Sequence, residues 1–148
     1  MRKVLTEWRK FLTEEVEYQG ILKIGLSDEH ISEVEAFQAM LPEEAVRLDP
    51  EDLHVTLVHQ SILKPFRDQL KSLRLPSPPD PVIEPDVFER KSPGKKSWAM
   101  RLRNQEEMRE YVKNIMELLG SNNTNPEPER VFHVSLANLT GNPRDSVR

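Results

Sequence analysis

The chain has 148 residues and a formal net charge of −4, from 21 Lys and Arg against 25 Asp and Glu. This length and the 36% of hydrophobic residues are typical of one globular domain. The absence of cysteine excludes disulfides and thiolate chemistry. No apolar run approaches the ~20 residues that span a bilayer, and charges interrupt the apolar pattern of the N-terminus, which argues against a signal peptide. We therefore expect a cytoplasmic protein.

Hydrophobic spacing predicts alternating helices and strands in the first half of the chain. Ser27 is a good helix N-cap, and Pro42 stops the helix that follows it. The predicted order is helix 3–15, strand 18–26, helix 28–41, strand 45–48, strand 53–59 and helix 65–75.

The segment PSPPDP at 76–81 predicts a stiff connector between the two halves of the chain. Asn104 and Glu107 resemble a capping box, and Gly120 is placed to end the helix that they begin. The predicted order beyond the connector is strand 82–89, turn 92–94, strand 97–103, helix 105–119, loop 121–129, strand 131–137 and a turn-rich tail.

The two halves share the order strand, helix, strand, without similar letters outside one short motif. We therefore predict an α+β fold of two pseudo-symmetric lobes, whose antiparallel sheets face a central groove and whose helices lie outside. The chain is taken as one domain, 1–148, with lobe one at about 16–75 and lobe two at about 82–140.

The motif that the halves share is a histidine, one apolar residue, a small hydroxyl residue and a leucine. It appears as LHVTLVHQ at 53–60 and as FHVSLANL at 132–139, about 80 residues apart. Strand side chains alternate between faces, so His54 and Thr56 share one face, as do His133 and Ser135. The other face of each strand is wholly apolar and suits packing under a helix.

Two imidazoles and two hydroxyls in one groove suit phosphodiester chemistry without a metal. A neutral histidine takes a proton from the attacking hydroxyl or water, and a protonated histidine gives one to the leaving oxygen. The hydroxyls of Thr56 and Ser135 stabilise the phosphate oxygens in the transition state. Either imidazole could be the acid or the base.

Other chemistries have less support in the sequence. Zinc needs a third ligand, and none recurs at a suitable spacing. Ser135 lacks the flanking glycines of a nucleophile elbow, and there is no glycine-rich phosphate loop. The sequence therefore predicts neither a metal nor a cofactor.

The paired His-x-Thr/Ser motifs resemble the two-histidine (2H) phosphoesterase superfamily, in layout over most of the chain and in detail over about eight residues. The resemblance implies catalytic roles for His54, Thr56, His133 and Ser135 in cleaving 2′,3′-cyclic phosphates, 2′–5′ linkages or cyclic nucleotides. The compact size and the segment HVSLANLTGNPRDSV resemble the tailed-phage branch. That branch includes anti-CBASS nucleases, which degrade cyclic oligonucleotide signals of bacterial antiphage defence.

Four further residues are candidates for substrate binding. Tyr18 and Trp98 begin the leading strand of each lobe and could stack on a base or pack in the core. Lys23 and Arg101 could contact phosphate or be ordinary surface charges. Strand alternation directs Trp98 toward a helix and Arg101 toward the groove, and it places His59 on the face opposite to His54. The run RKSPGKK at 90–96 could be a mobile basic loop at the groove mouth that suits an anionic ligand, but it is interpreted as a solvated hairpin tip.

The expected partner is a small anionic nucleotide, such as a cyclic di- or trinucleotide or a 2′,3′-cyclic phosphate. The acidic net charge argues against a long nucleic acid, and no membrane contact is expected. The alternatives are an enzyme that acts on the 2′,3′-cyclic or 2′–5′ bonds of RNA ends and a non-catalytic protein that sequesters its ligand. The sequence does not assign an oligomeric state.

Overall fold

A computed structural model describes residues 16–147, so the helix predicted at 3–15 lies outside the described part of the chain. The strands are β1 Val16–Tyr18, β2 Leu22–Gly25, β3 Val46–Arg47, β4 His54–Val58, β5 Ile83–Ser92, β6 Lys95–Leu102 and β7 His133–Asn138. The helices are α1 Asp28–Gln38, α2 Gln60–Leu63, α3 Arg67–Ser72 and α4 Gln105–Leu118. The α+β class is confirmed.

The strands form one antiparallel seven-stranded sheet in the order β1-β2-β4-β7-β6-β5, with β3 also paired to β7. Each half of this order contributes three strands, with a helix between its second and third strands in the chain. The order is therefore mirrored about the junction of β4 and β7. The halves are joined in one sheet, whereas the sequence predicted two sheets that face each other across a groove.

One residue pair, Val55 with Val134, is the pairing between β4 and β7. The same edge of β7 pairs further along with β3, and the amide of Leu48 donates to the carbonyl of Leu136 over 2.9 Å. The side chain of Gln38 donates to the carbonyls of both Leu48 and Leu136. Because β3 takes the rest of this edge, β4 meets β7 only at the two histidine motifs.

The predicted apolar faces of β4 and β7 lie in the core. Val55 and Val134 are both fully buried, and α4 packs its apolar side against the same core. The helix side has the predicted 3.6-residue stripe, so burial of this face stabilises α4 as well as the sheet. The stripe consists of Met108, Val112, Ile115, Met116 and Leu119.

Three local predictions are wrong. The strand expected at 18–26 is a hairpin of β1 and β2, with Gly20 at a φ of 82° in the turn between them. The helix expected at 65–75 is shorter, as α3, and it follows a 3-10 turn at Lys64–Phe66 and the helix α2, which was not predicted. Pro65 has no amide hydrogen, so the α-helical hydrogen bonding of α2 does not continue through it. Asn104 does not cap α4 with its side chain. Its amide instead accepts from the Val82 backbone and donates to the Asp80 carbonyl, which anchors the start of β5.

The C-terminal segment folds back on the sheet. The side chain of Asn138 accepts from the backbone amides of Thr140 and Gly141 and donates to the carbonyl of Asn142. The amide of Val147 donates to the hydroxyl of Ser97 on β6. These bonds hold residues 139–147 as one wall of the cleft described next.

Candidate active site

A cleft of about 630 Å3 lies on the face of the sheet opposite to the core. His54 and Thr56 reach it from β4, and His133 and Ser135 reach it from β7. The alternation of strand side chains explains the arrangement, because Val55 and Val134 point from the same strands into the core. The structure therefore brings the two predicted motifs to one cleft.

The pairing of β4 with β7 sets how the four side chains face each other. Val55 pairs with Val134 in an antiparallel register. Continued by one residue in each direction, this register sets His54 opposite Ser135 and Thr56 opposite His133. The two histidines are then diagonal neighbours across the strand pair, with their backbones roughly 7–8 Å apart. Each lies directly opposite a hydroxyl residue of the other strand.

Both imidazoles are held by the same local contact. Nδ1 of His54 lies 2.7 Å from the carbonyl of Asp52, and Nδ1 of His133 lies 2.8 Å from the carbonyl of Val131. A carbonyl only accepts, so Nδ1 carries the hydrogen in each ring. In the neutral rings Nε2 is then the acceptor, and in His54 it accepts from the hydroxyl of Thr56 over 3.0 Å.

Both histidines favour the neutral form. Burial, together with the charges of the nearby Arg90 and Arg130, lowers the pKa of His133 to about 4. Burial also lowers the pKa of His54, with Lys23 acting in the same direction, while the Asp52 carbonyl and carboxylate oppose the shift. His133 faces cations without an acidic neighbour of this kind, so it is the weaker base of the two.

Arg90 contacts His133 directly. Its Nη1 lies 3.0 Å from Nε2 and 2.9 Å from Nδ1 of His133, and Nε2 is the acceptor because Nδ1 already donates to Val131. Phe88 packs edge-on against the same imidazole, with the ring centroids 6.3 Å apart. The interpretation of 90–96 as a hairpin tip is wrong for Arg90, which lies within the β5–β6 ladder opposite Ser97.

Arg130, just before β7 in the chain, links the second histidine motif to the first through its side chain. Its Nε and Nη2 donate to the carbonyl of Thr56 over 3.3 and 3.0 Å, and its Nη1 donates to Nε2 of His59. A carboxylate oxygen of Glu127 lies 3.8 Å from Nη1 of Arg130. The sequence analysis missed Arg130, although a cation three residues before His133 was a signal for it.

The predicted position of His59 is also wrong. Strand alternation predicted that it lies on the face opposite to His54, but β4 ends at Val58 and His59 begins the next turn. The chain changes direction there, so the period-two rule no longer applies. His59 lines the cleft and lies 4.0 Å from a carboxylate oxygen of Glu127.

Two of the four predicted substrate contacts lie near the motifs. Lys23 pairs with Thr56 across β2 and β4 and lines the cleft. Arg101 pairs with His133 across β6 and β7, and its guanidinium lies 4.3 Å from the centre of the Phe88 ring. Arg101 thus faces the groove side, as strand alternation predicts.

The two predicted aromatic contacts lie elsewhere. Tyr18 lines a separate cavity with residues of 70–78 and packs against the core. Trp98 is only 2% exposed, so its ring is covered and a base could not stack on it in this conformation. The register of β6 against β7 shifts between Trp98 and Ala99, which interrupts the alternation used to place Trp98.

The arrangement is able to move protons in both directions. Each Nε2 points away from its Nδ1 anchor, and the two lie in a cleft that also holds two hydroxyls and the cations Lys23 and Arg130. Such a set can bind an oxyanion and exchange protons with oxygens on either side of it.

Within residues 16–147, no group of three or more His, Asp or Glu side chains is placed to hold a metal ion. Over the same residues, no helix has the length and apolar character needed to span a membrane.

Comparison of the chain with protein-family models, with curated proteins and with solved structures found no match to any of them.

Proposed function

We propose that the protein is a metal-independent phosphodiesterase that cleaves a phosphodiester bond of a small cyclic nucleotide or oligonucleotide. The observation that supports the proposal is the shared cleft of His54, Thr56, His133 and Ser135. Two histidines with identical Nδ1 anchoring and two adjacent hydroxyls match what acid–base cleavage of a phosphodiester needs.

In this proposal His133 is the general base and His54 the general acid. The neutral Nε2 of His133 takes the proton of the attacking water or ribose hydroxyl, because burial and the neighbouring cations hold the pKa of this ring low. Nε2 of protonated His54 donates to the leaving oxygen, while the Asp52 carbonyl stabilises the imidazolium through Nδ1. The bond that breaks is between phosphorus and this leaving oxygen.

The hydroxyls and cations stabilise the charge on the phosphate. When His54 is protonated, Thr56 no longer donates to its Nε2, and the hydroxyl turns to a non-bridging oxygen. Ser135 takes the same role beside His133. Lys23 and Arg130 supply positive charge from the cleft wall, where water is partly excluded.

The two-histidine phosphoesterase fold is part of the same proposal. The mirrored strand order, with one motif in each third strand, supports two related lobes joined at β4 and β7. The proposal also includes a role in degrading cyclic oligonucleotide signals of antiphage defence in a bacterial cytoplasm. Only the sequence resemblance supports that narrower role.

A non-catalytic ligand-binding protein is the second candidate, and one observation favours it. Nη1 of Arg90 donates a hydrogen bond to Nε2 of His133. The nitrogen that would take the proton is therefore already bonded to a cation in this structure. A sequestering protein needs the cationic cleft without any proton transfer. The experiment below separates the two candidates.

The test is incubation with cyclic dinucleotides, cyclic trinucleotides, 2′,3′-cyclic mononucleotides and 2′–5′ oligoadenylate in excess EDTA, with the products separated by chromatography. We expect turnover that the chelator does not reduce. Products identify which bond is cut, and turnover of 2′,3′-cyclic or 2′–5′ substrates alone would identify an RNA-end enzyme. Activity lost in EDTA and restored by a divalent metal would overturn the mechanism. Tight binding without products would identify the sequestering protein.

A further inference from the structure

Two arginines and an aromatic ring form a cluster on the β5–β6 side of His133. Arg90 donates to Nε2 of His133, and Arg101 lies over the Phe88 ring at 4.3 Å. Phe88 in turn contacts the imidazole edge-on. We name Arg90 and Arg101 the arginine pair.

The arginine pair holds two like charges close together. Arg90 contacts His133 and Arg101 contacts Phe88, and these two rings touch each other, so the like charges of the two guanidiniums repel. Burial and the charge of Arg101 both lower the pKa of Arg90. Phe88 supports Arg101 through a cation–π contact, and His133 accepts a hydrogen bond from Arg90. An anion placed against both guanidiniums would offset their repulsion and form charge-assisted hydrogen bonds.

The surface is continuous from the histidine cleft to the arginine pair. Arg130 lines the histidine cleft and two further cavities. One has a volume of about 530 Å3 and is also lined by Arg90. The other has a volume of about 560 Å3 and is also lined by Arg101. The carboxylates of Glu127 and Glu129 border these cavities as well. Glu127 pairs with Arg130 and His59, so it offsets those charges rather than the arginine pair.

We propose that the arginine pair is a subsite for a second phosphate of the substrate, next to the phosphate that His54 and His133 cleave. This inference rests on the proposed function and narrows its substrate class to ligands with at least two phosphodiesters, such as cyclic dinucleotides or trinucleotides. A 2′,3′-cyclic mononucleotide has no second phosphate and leaves the subsite empty.

Binding of the second phosphate also prepares His133 for the reaction. Arg90 exchanges its contact with Nε2 of His133 for the phosphate oxygens, and Nε2 then becomes available to take a proton. The bound anion partly neutralises the cations that keep the pKa of His133 low. The second phosphate thus both adds affinity and removes the contact that blocks the base.

The test compares cyclic di-AMP, with two phosphodiesters, and 2′,3′-cyclic AMP, with one, on wild type and Arg101→Ala. The measured quantity is the ratio of kcat/KM for the two substrates. We expect this ratio to fall at least about tenfold in Arg101→Ala, the loss of one charge-assisted hydrogen bond. Arg101→Lys keeps the charge and should restore part of the ratio. Lys91→Ala is the matched control, because Lys91 is a 69% exposed cation on β5, the strand that pairs with the β6 strand of Arg101.

An unchanged ratio, or an equal change in Lys91→Ala, would overturn the subsite. If wild type cleaves none of the substrates that test the proposed function, that function fails and the subsite is judged separately. Calorimetric dissociation constants of the same two ligands then replace kcat/KM. Weaker binding of cyclic di-AMP to Arg101→Ala than to wild type supports the subsite, and equal or undetectable binding to both proteins rejects it.

Discussion

At the scale of single residues, the two histidines share an anchor but differ in electrostatics. Each Nδ1 donates to the carbonyl two residues earlier, which fixes the ring and presents Nε2 to the cleft. Nε2 of His133 accepts a hydrogen bond from Arg90, whereas Nε2 of His54 accepts one from the hydroxyl of Thr56. The same motif therefore supplies one ring that stays neutral to low pH and one that protonates more readily.

The pH dependence of kcat/KM follows from this difference. The active form needs neutral His133 and protonated His54, so activity is lost below the pKa of His133, about 4, and above the lowered pKa of His54. We expect a bell-shaped profile whose alkaline limb lies below the ordinary histidine pKa of about 6.5. Initial rates at low substrate between pH 3.5 and 8 measure it, and an optimum above pH 7 would contradict the assignment.

Sequence reasoning reached some of these residues and not others, for physical reasons. His54, Thr56, His133 and Ser135 were predicted because strand alternation is a local rule and both motifs lie inside regular strands. Arg90 reaches His133 only through strand pairing over 43 residues of sequence separation. No local pattern reports such a contact.

At the scale of the elements, Arg130 is the connection between β4 and the segment before β7. A single residue pair joins these strands, and the forked guanidinium of Arg130 adds two hydrogen bonds to the Thr56 carbonyl. Arg130 is therefore a positioning residue that holds one histidine motif against the other. Its side chain is 9% exposed, so the bonds are protected from water.

Substitution of Arg130 separates its geometry from its charge. Arg130→Lys keeps the charge but loses the fork, so we expect kcat/KM to fall about tenfold with the pH limbs unchanged. Arg130→Gln removes a cation that lowers both histidine pKa values, so both limbs should move to higher pH. The measurements are pH–rate profiles, with the exposed Arg67→Lys as the control. Full activity in Arg130→Lys would contradict the positioning role.

The ends of elements are where prediction from sequence failed. His59 was assigned to the wrong face because β4 ends one residue before it. The helix predicted at 65–75 begins later and ends earlier, as α3, and a turn divides the strand predicted at 18–26 into β1 and β2. Periodicity holds inside an element, whereas its end depends on turns and pairing that the apolar pattern does not report.

At the scale of the whole molecule, the charge is unevenly distributed. The chain has a net charge of −4, yet four cations, Lys23, Arg90, Arg101 and Arg130, lie around one pair of histidines. A basic patch of this size on an acidic protein suits a small anionic ligand better than a long polymer. The mirrored sheet supports the patch, because both halves contribute a motif strand to its centre.

The strand–helix–strand pattern in each half was predictable from the sequence, but the junction between the halves was not. Apolar patterns predicted the main strands and helices from 28 to 138, but they missed α2 and the division of the first strand into β1 and β2. Whether the halves face each other or share one sheet depends on the pairing of β7 with β4 and with β3, between segments far apart in the chain. Local hydrophobicity carries no information on that pairing.

The most direct test of the paired site is the rate of a double variant. Asn keeps a donor at the position of Nδ1 and lacks Nε2, so His54→Asn and His133→Asn remove the reactive nitrogen while retaining the anchor. We expect each to lower kcat by about 10²–10⁴-fold with an unchanged circular dichroism spectrum. Because the two histidines act as a unit, the double variant should be about as slow as the slower single variant. Near-full activity in either single variant, or losses that multiply in the double variant, would contradict one shared site.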